Sequence, residues 1–396
     1  MLRIRDTTLN AERLGEIMII RNGNVFCDDG VFRKSDIEIQ ADKITAIGEN
    51  LQCNSEDVID ADGSYVVPGL VDIHIHGAMG ADFCDATPES IEKIAGYLLT
   101  CGVTSFLGTT MTMPKDTLSD ICKTACSFIN ASKPEQATLR GVHLEGPFIS
   151  YDKRGAQNAD HITAPDFEML SKLNDDCGGG VRLVVIAPEV DGGVEFIKKA
   201  KDICTVSLAH STAGYDTSER AFSSGASHVT HLYNGMNSLS HREPGIIGAA
   251  YDSSAYVELI TDGVHIHGSV VRATFKLYGD DKVCLISDGM RACGLADGEY
   301  DLGGQMVTVR GKSATISNGA LAGSVTNIAD CMRQAVEFGI PLESALKAAT
   351  INPAKSVGID TQVGSLAVGK RADILVLDKS LQLRNVINGG INERKT

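Results

Sequence analysis

Eight short apolar runs recur through the middle of the 396-residue chain, separated by stretches with helical periodicity. The runs lie at 66–77, 103–110, 139–146, 182–189, 205–211, 228–234, 256–263 and 283–289. After the first run, Thr87 and Pro88 form a helix start signal, and an apolar stripe follows from Ile91 to Leu99. Each strand-plus-helix unit spans roughly 30 residues, the usual size of a right-handed crossover unit. Eight such units predict an α/β fold of the TIM type, a (β/α)8 barrel.

The polar residues of these runs gather at their C-terminal ends. Nearly every run begins apolar and ends in a reactive group such as His-Ile-His, His-Leu-Glu, Ala-His-Ser or Ser-Asp-Gly. Barrel enzymes collect their catalytic groups at the C-terminal ends of the strands, whereas ordinary strands show no such bias. The pattern therefore predicts an active site at that face of the barrel.

The two ends of the chain carry a different, β-rich pattern. Residues 17–65 form short segments with alternating apolar positions, and a similar signal returns in ADILVLDKSLQLRNVINGG. We expect a small β-sandwich domain built from residues 1–65 and 366–396, with the barrel at 66–365. Residues 1–16 lack the apolar core of a secretory signal and are expected to be a polar lead-in, with Met18 as an alternative start of the reading frame.

Charge and cysteine content limit the classes of partner. The formal net charge of −15 argues against nucleic acid or anionic membranes as partners, because both are themselves negative. The 11 cysteines contain no CxxC pair, which is typical of reduced thiols in a reducing compartment. No run approaches the length of a membrane span. We therefore expect a cytoplasmic protein.

His74 and His76 end the first run two residues apart. Side chains at this spacing in a strand point to the same face, so both imidazoles can reach one ion. The alternative is a pair of structural histidines that form hydrogen bonds at a strand end. His143 and Glu145 repeat the spacing at the end of the third run. A carboxylate there requires a cation or a donor, which could also be a nearby Arg or Lys.

His210 and His231 end the fifth and sixth runs. Either one alone is more often a structural histidine. Together with Glu145 they form a set of two histidines and one carboxylate, which leaves a coordination position open for water. His228 lies three residues before His231, so we expect it to face the other way and to be structural.

Asp288 ends the eighth run, in the string ISDGM. A divalent ion lowers the pKa of its bound water toward neutrality. The resulting hydroxide needs a neighbouring carboxylate to accept its proton and to deliver it to a leaving group. Asp288 is the candidate for this role; the alternative is an Asp that caps an Asp-Gly turn.

Polar residues in the loops after the later runs are candidates for substrate contact. Asn234 and Gly235 follow the sixth run, Arg242 lies further along the same loop, and His265 follows the seventh run. Arg242 is a permanently charged, forked donor suited to phosphate. Gly235 allows a ligand to approach the backbone closely. Loop arginines are most often only solvated.

Several longer motifs carry a family resemblance. The strings VVPGLVDIHIHG, HLEGPFI, THLYNGM, REPG, SDG and GKRADILVLD resemble those of the N-acetylglucosamine-6-phosphate deacetylase family within the amidohydrolase superfamily. The likeness runs from about Ile17 to Asn388. HxH and the GKRADI string are common to the superfamily, whereas HLEGPF with THLYN and REPG is specific to the deacetylases.

The resemblance implies an activity and a metal. The activity is hydrolysis of N-acetylglucosamine 6-phosphate to glucosamine 6-phosphate and acetate by a metal-bound hydroxide, with Asp288 as the general acid and base. One or two divalent ions are implied, and Zn, Fe, Mn and Co all suit such ligands. Glu145, His210 and His231 match the main ligands. His74 and His76 match those of a second ion, with Glu145 bridging.

The resemblance also implies substrate contacts and a homodimer. Asn234, the Gly235 backbone, Arg242 and His265 match groups that hold the sugar phosphate, and the arginine can come from the neighbouring subunit. Many members have a histidine where this chain has Gln157. A Gln amide can still donate to a developing oxyanion, although it carries no charge.

Three alternatives remain open at this stage. Cyclic amidases and nucleobase deaminases often bridge two metals with a carboxylated lysine at the end of the fourth strand, but the fourth run here ends at Glu189 without a lysine. N-acetylgalactosamine 6-phosphate is an alternative substrate, because a single hydroxyl orientation depends on loop positions. A non-catalytic barrel would be expected to have lost ligands, and fold alone does not prove function.

Overall fold

The structure is a computed structural model that describes residues 17–53, 55–131 and 133–393. The predicted polar lead-in at 1–16 lies outside these ranges. None of the helices in the described ranges is both long and apolar enough to cross a bilayer.

Five strands precede the barrel. They are β1 (Ile17–Phe26), β2 (Phe32–Gln40), β3 (Lys43–Gly48), β4 (Asp57–Asp60) and β5 (Tyr65–Pro68). β1 pairs antiparallel with β2 and parallel with both β4 and β5. Alternate residues such as Ile37, Ile39 and Ile44 are buried on one face, as the sequence pattern requires.

The barrel strands form one parallel eight-stranded sheet. They are β6 (Leu70–Ile75), then, after a hairpin of β7 (Gly77–Ala78) and β8 (Ala81–Asp82), β9 (Val103–Thr110), β10 (Thr138–Leu144), β11 (Val181–Ile186), β12 (Thr205–Leu208), β13 (His228–Val229), β14 (Tyr256–Leu259) and β15 (Val283–Leu285). All eight lie within or overlap the predicted runs. The sheet order follows the chain from β6 to β15.

Helices connect the barrel strands and cover their outer face. They are α1 (Pro88–Thr100), α2 (Lys115–Cys126), α3 (Phe167–Asp176), α4 (Gly193–Ala200), α5 (Tyr215–Ser224), α6 (Gly245–Asp252) and α7 (Gly268–Tyr278). In α1 the Thr87 side chain accepts a hydrogen bond from Ser90 N, and Pro88 occupies the first turn. Its stripe from Ile91 to Leu99 is buried against the barrel, as predicted.

The barrel closes at the level of the predicted site. Ile75 and Gly289 form a parallel bridge between the end of β6 and the segment after β15. Asp288 N donates to His74 O at 2.9 Å. The closure therefore fixes the backbone of a candidate ligand and the candidate base relative to each other.

A three-stranded sheet follows the barrel strands, and the chain then returns to the first sheet. The added sheet contains β16 (Gly298–Leu302), β17 (Gln305–Arg310) and β18 (Ser313–Ile316). Three helices follow: α8 (Ile328–Glu337), α9 (Leu342–Ala349) and α10 (Ile351–Ser356). The last strands, β19 (Ile374–Leu377), β20 (Leu383–Asn388) and β21 (Ile391–Asn392), join β5 through β19.

The predicted fold class is confirmed: an eight-stranded barrel carries a separate sheet built from both ends of the chain. The three-stranded sheet β16–β18 was not predicted. The domain limits at 65/66 and 365/366 stay predictions; the first of them falls inside β5, which pairs with the terminal sheet.

Candidate metal centre and substrate pocket

Three side chains from three different strand ends converge on one point. Glu145 follows β10, and its Oε1 lies 3.2 Å from His210 Nε2 and 2.9 Å from His231 Nε2. The two histidine Nε2 atoms are 3.1 Å apart. The three residues are buried, with 3%, 7% and 4% of their surface exposed. His210 and His231, which follow Glu145 by 65 and 86 positions in the chain, are thus brought within bonding reach of the same ion as Glu145.

The histidines of the first run also approach the carboxylate of Glu145. His76 Nε2 is 3.2 Å from Glu145 Oε2, and His74 Nε2 is 3.6 Å from Glu145 Oε1. The Nε2 atoms of His74 and His76 are 3.4 Å apart. Glu145 therefore faces both ligand groups, as a carboxylate that bridges two ions would.

The donor set fits a divalent ion. The bonds from zinc to histidine and carboxylate ligands are about 2.0–2.2 Å long. At tetrahedral angles, neighbouring ligand atoms are therefore roughly 3.3–3.6 Å apart. The separations in the Glu145, His210 and His231 group, 2.9–3.2 Å, are close to this spacing. A carboxylate this deeply buried also needs a cation.

Backbone and side-chain contacts orient the imidazoles. His210 Nδ1 lies 2.8 Å from the carbonyl of Lys153, so its N–H donates there and the Nε2 lone pair is left toward Glu145. Glu189 accepts hydrogen bonds from Ser211 Oγ at 2.6 Å and Thr212 N at 2.5 Å, which anchors the loop just after His210. These contacts fix both the ring of His210 and the loop that follows it.

Asp288 lies beside the first-run histidines. Its Oδ1 is 3.3 Å from His76 Nε2 and 3.4 Å from His74 Nε2. Burial raises the pKa of Asp288, but the facing imidazoles of His74 and His76 lower it by more, so the net shift is downward. The carboxylate is thus favoured in its ionised form, the state in which it can accept a proton.

Three of these residues have left-handed backbone conformations. The φ angles of His210, His231 and Asp288 are 45°, 33° and 50°. Such angles are uncommon for residues other than glycine and cluster at functional sites. They turn the side chains away from the strand direction and toward a shared centre.

A cavity of about 340 Å³ opens next to the ligand cluster. Four of the predicted substrate residues line it, namely Gln157, Asn234, Gly235 and His265. Arg242 does not line it and is exposed in the loop after β13. Four of the five predicted substrate residues therefore lie in one pocket, and the fifth, Arg242, lies outside the pocket of its own chain.

Gln157 is held in one orientation by two hydrogen bonds. Its Oε1 accepts from Thr112 N at 2.6 Å, and its Nε2 donates to Glu145 Oε2 at 2.8 Å. The amide thus presents its NH2 group to the ligand cluster. That is the orientation required of a donor to a developing oxyanion, although one N–H is already used by Glu145.

His265 is tied to a carboxylate that the sequence did not single out. His265 Nδ1 lies 2.8 Å from Asp262 Oδ2, and both side chains are buried. Burial lowers the pKa of His265, but the hydrogen bond and charge of Asp262 raise it by more, so the net shift is upward. An imidazole at the pocket wall whose protonated form is favoured in this way suits an anionic or hydroxyl-bearing ligand.

Sequence reasoning missed the apolar side of the pocket and one buried acid. Met111, Leu302, Ala320 and Leu321 also line the cavity, and Leu302 comes from the unpredicted sheet β16–β18. Glu258 lies inside the barrel with no exposed surface, and its Oε2 is 3.0 Å from His74 Nδ1. Its one signal in the sequence is a carboxylate within the apolar string YVEL.

The prediction for the direction of His228 is wrong. Its ring lies inside the barrel, 3.1 Å from Ser207 Oγ, rather than on the opposite face from His231. The strand β13 ends at Val229, and the left-handed turn at His231 breaks the alternation on which the prediction relied. His143 likewise lies inside the barrel, with Nδ1 3.1 Å from Ile73 O, and does not line the pocket.

Comparison with known proteins agrees with this geometry. The sequence profile of the amidohydrolase family matches residues 65–395. The chain is 36% identical over 377 residues to the N-acetylglucosamine-6-phosphate deacetylase of Bacillus subtilis strain 168, covering 93% of this chain and 95% of that one. It is 33% identical over 332 residues to the N-acetylgalactosamine-6-phosphate deacetylase of Escherichia coli O157:H7, covering 83% and 88%.

A solved structure shares the whole fold. It is a variant of the Mycobacterium smegmatis N-acetyl-D-glucosamine-6-phosphate deacetylase in complex with N-acetyl-D-glucosamine 6-phosphate, with a TM-score of 0.90 and 30% identity. The match covers 96% of this chain and 100% of that one. The chain belongs to the amidohydrolase family, and within it to the N-acetylglucosamine-6-phosphate deacetylases.

Proposed function

We propose that this protein hydrolyses N-acetylglucosamine 6-phosphate to glucosamine 6-phosphate and acetate. The observation that carries the proposal is the convergence of Glu145, His210 and His231 beside Asp288 in a pocket of about 340 Å³. The relatives with the same activity in their names, at up to 36% identity over nearly the full chain, support it. A non-catalytic barrel would not need this complete set of ligands and base.

Glu145, His210 and His231 would hold one divalent ion, and His74 and His76 with Glu145 would hold a second. When bound, such an ion lowers the pKa of a water molecule and polarises the acetyl carbonyl. Zn, Fe, Mn and Co all suit imidazole and carboxylate ligands. The proposal is therefore one or two divalent ions per chain.

Asp288 would move the proton. Its ionised carboxylate accepts a proton from the attacking water and later delivers it to the amine that leaves. The hydrogen bond from its backbone N to His74 O holds the carboxylate next to the ligand cluster. Gln157 would contribute an amide N–H to the carbonyl oxygen as charge develops there.

The sugar phosphate would bind on the side of Asn234, the Gly235 backbone and His265. Gly235 lines the cavity with φ of 60°, and a Cβ there would lie 3.1 Å from His210 Nδ1, so glycine leaves room for that candidate ligand.

We also propose a homodimer in which Arg242 serves the pocket of the partner. Arg242 is exposed and outside its own pocket, and Leu239 in the same loop is 51% exposed. A guanidinium supplied from a neighbouring subunit would offer phosphate a bidentate contact.

The domain limits and location complete the proposal. Residues 1–65 and 366–396 would form the small β-domain and 66–365 the barrel. A cytoplasmic location is supported by the 11 cysteines, all of which are free thiols.

N-acetylgalactosamine 6-phosphate is the second candidate substrate, because a relative named for that activity is 33% identical. The test is a panel of both acetylated sugar phosphates and their unphosphorylated forms, with acetate release measured at defined metal content. We expect the highest kcat/KM for the glucosamine phosphate. A higher kcat/KM for the galactosamine epimer would make N-acetylgalactosamine 6-phosphate the substrate instead. If no sugar in the panel releases acetate, the proposal is rejected.

A further inference from the structure

Glu258 connects the two ligand groups without lining the pocket. Its side chain is fully buried within β14. One oxygen, Oε2, lies 3.0 Å from His74 Nδ1 and also accepts a hydrogen bond from His231 N at 3.1 Å. A single atom thus contacts one candidate ligand of each proposed ion.

We propose that Glu258 is a positioning residue that sets the geometry of both ligand groups. This inference rests on the metal centre proposed above. By accepting the Nδ1 proton of His74, Glu258 leaves the Nε2 lone pair of that ring toward Glu145 and Asp288. By accepting from His231 N, it holds the backbone of a residue whose φ is 33°.

The surroundings of Glu258 favour this role over a simple core contact. Within the described ranges, the carboxylate of Glu258 forms ion-pair contacts with the imidazoles of His74 and His228. The His228 contact is 3.9 Å, too long for a hydrogen bond, and Glu258 Oε1 has no hydrogen-bond partner among the residues that the structure describes. Since burying a carboxylate is costly even when one of its oxygens is hydrogen-bonded, an apolar side chain would suit this position better if packing were its purpose.

The experiment compares metal binding by the unaltered chain and four variants, each purified at full length and stripped of metal. Glu258→Met keeps the volume but removes the acceptor. Glu258→Asp keeps the charge but is one methylene too short to reach both partners. Glu258→Gln keeps an oxygen that can accept from both, and Val257→Ala is a matched control whose side chain belongs to the outer core of the same strand.

Calorimetric titration with Co²⁺ or Zn²⁺ should show that Glu258→Met and Glu258→Asp bind about 10–100-fold more weakly than the unaltered chain. Glu258→Gln should bind near normally, and Val257→Ala should lower the melting temperature without weakening metal binding. In the acetate assay, kcat of Glu258→Met should fall while KM changes little.

Normal metal affinity in both Glu258→Met and Glu258→Asp would overturn the inference. A loss in Glu258→Gln as large as in Glu258→Met would also overturn it, because an oxygen acceptor would then be insufficient. If the unaltered chain binds no metal, the proposed metal centre itself is wrong. That result can be told apart from the two outcomes above, in which the unaltered chain binds metal.

Discussion

Replacing Asp288 by asparagine removes the proton acceptor while preserving the shape of the site. Asn keeps a side-chain oxygen that can remain near His76 Nε2, from which Asp288 Oδ1 now lies 3.3 Å away. The backbone at this position has φ of 50°, which Asn tolerates nearly as well as Asp. Alanine would instead add about 1–2 kcal/mol of left-handed strain, so it would confuse loss of chemistry with loss of structure.

The expected loss follows from the role of a general acid and base. Such a group contributes about 10²–10⁴-fold to the rate, which corresponds to roughly 2.7–5.4 kcal/mol of activation free energy. Because Asp288 is proposed to act in both proton transfers, we expect the upper part of this range in kcat. KM should change little, since Asp288 faces the ligand cluster rather than the sugar side of the pocket.

The assay measures acetate release and metal content on the same preparations. Asp36→Asn is the control, because Asp36 is also buried and accepts hydrogen bonds from Asn22 N and Leu51 N in the terminal sheet, away from the site. That variant should lose stability and keep its kcat. If Asp288→Asn retains most of its activity with normal metal content, Asp288 is not the general base.

Three further predictions test other parts of the pocket. Asp262→Asn should remove the charge that raises the pKa of His265. The protonated ring is present below its pKa and is lost as the pH rises through it, so the variant should lose this form at lower pH. If the alkaline limb of the kcat/KM profile does not move, the result contradicts this prediction. Gly235→Ala should cost about 1–2 kcal/mol in unfolding free energy because φ is 60°, and should lower activity because the new Cβ lies 3.1 Å from His210 Nδ1; denaturant unfolding and steady-state assays check both. Arg242→Ala should raise KM about 10- to 150-fold, the equivalent of one hydrogen bond to a charged group, and an unchanged KM would remove Arg242 from the phosphate site.

The eight strands and the ligand cluster could be predicted because one simple rule links them. Nearly every apolar run ended in reactive residues such as His74, Glu145 or His210, and the C-terminal ends of barrel strands meet at one face. Spacing along the chain was therefore enough to place residues far apart in sequence around one centre.

Other features depend on backbone angles and long-range contacts that no short pattern records. The left-handed conformations of His210, His231 and Asp288 are uncommon for residues other than glycine, and no short sequence pattern marks them. Glu258 could be placed inside the barrel by alternation, but its contact with His74 Nδ1 depends on the relative height of β6 and β14. Of these residues, Glu258 is the one whose role the sequence left unassigned.

The short alternation in β16–β18 gave too weak a signal to predict the sheet that closes the pocket. Its residue Leu302 lines the cavity, and Gln305 donates to the carbonyl of Ala156, next to Gln157. The position of Gln157 thus depends on an element that follows the barrel strands in sequence.

Dependence of acetate release on added metal tests the central claim most directly. The purified protein would be stripped by chelation, reloaded with known equivalents of one divalent ion, and assayed with N-acetylglucosamine 6-phosphate. Activity should be absent without metal and should saturate at one or two equivalents per chain. Equal rates in the stripped and reloaded protein would contradict the account.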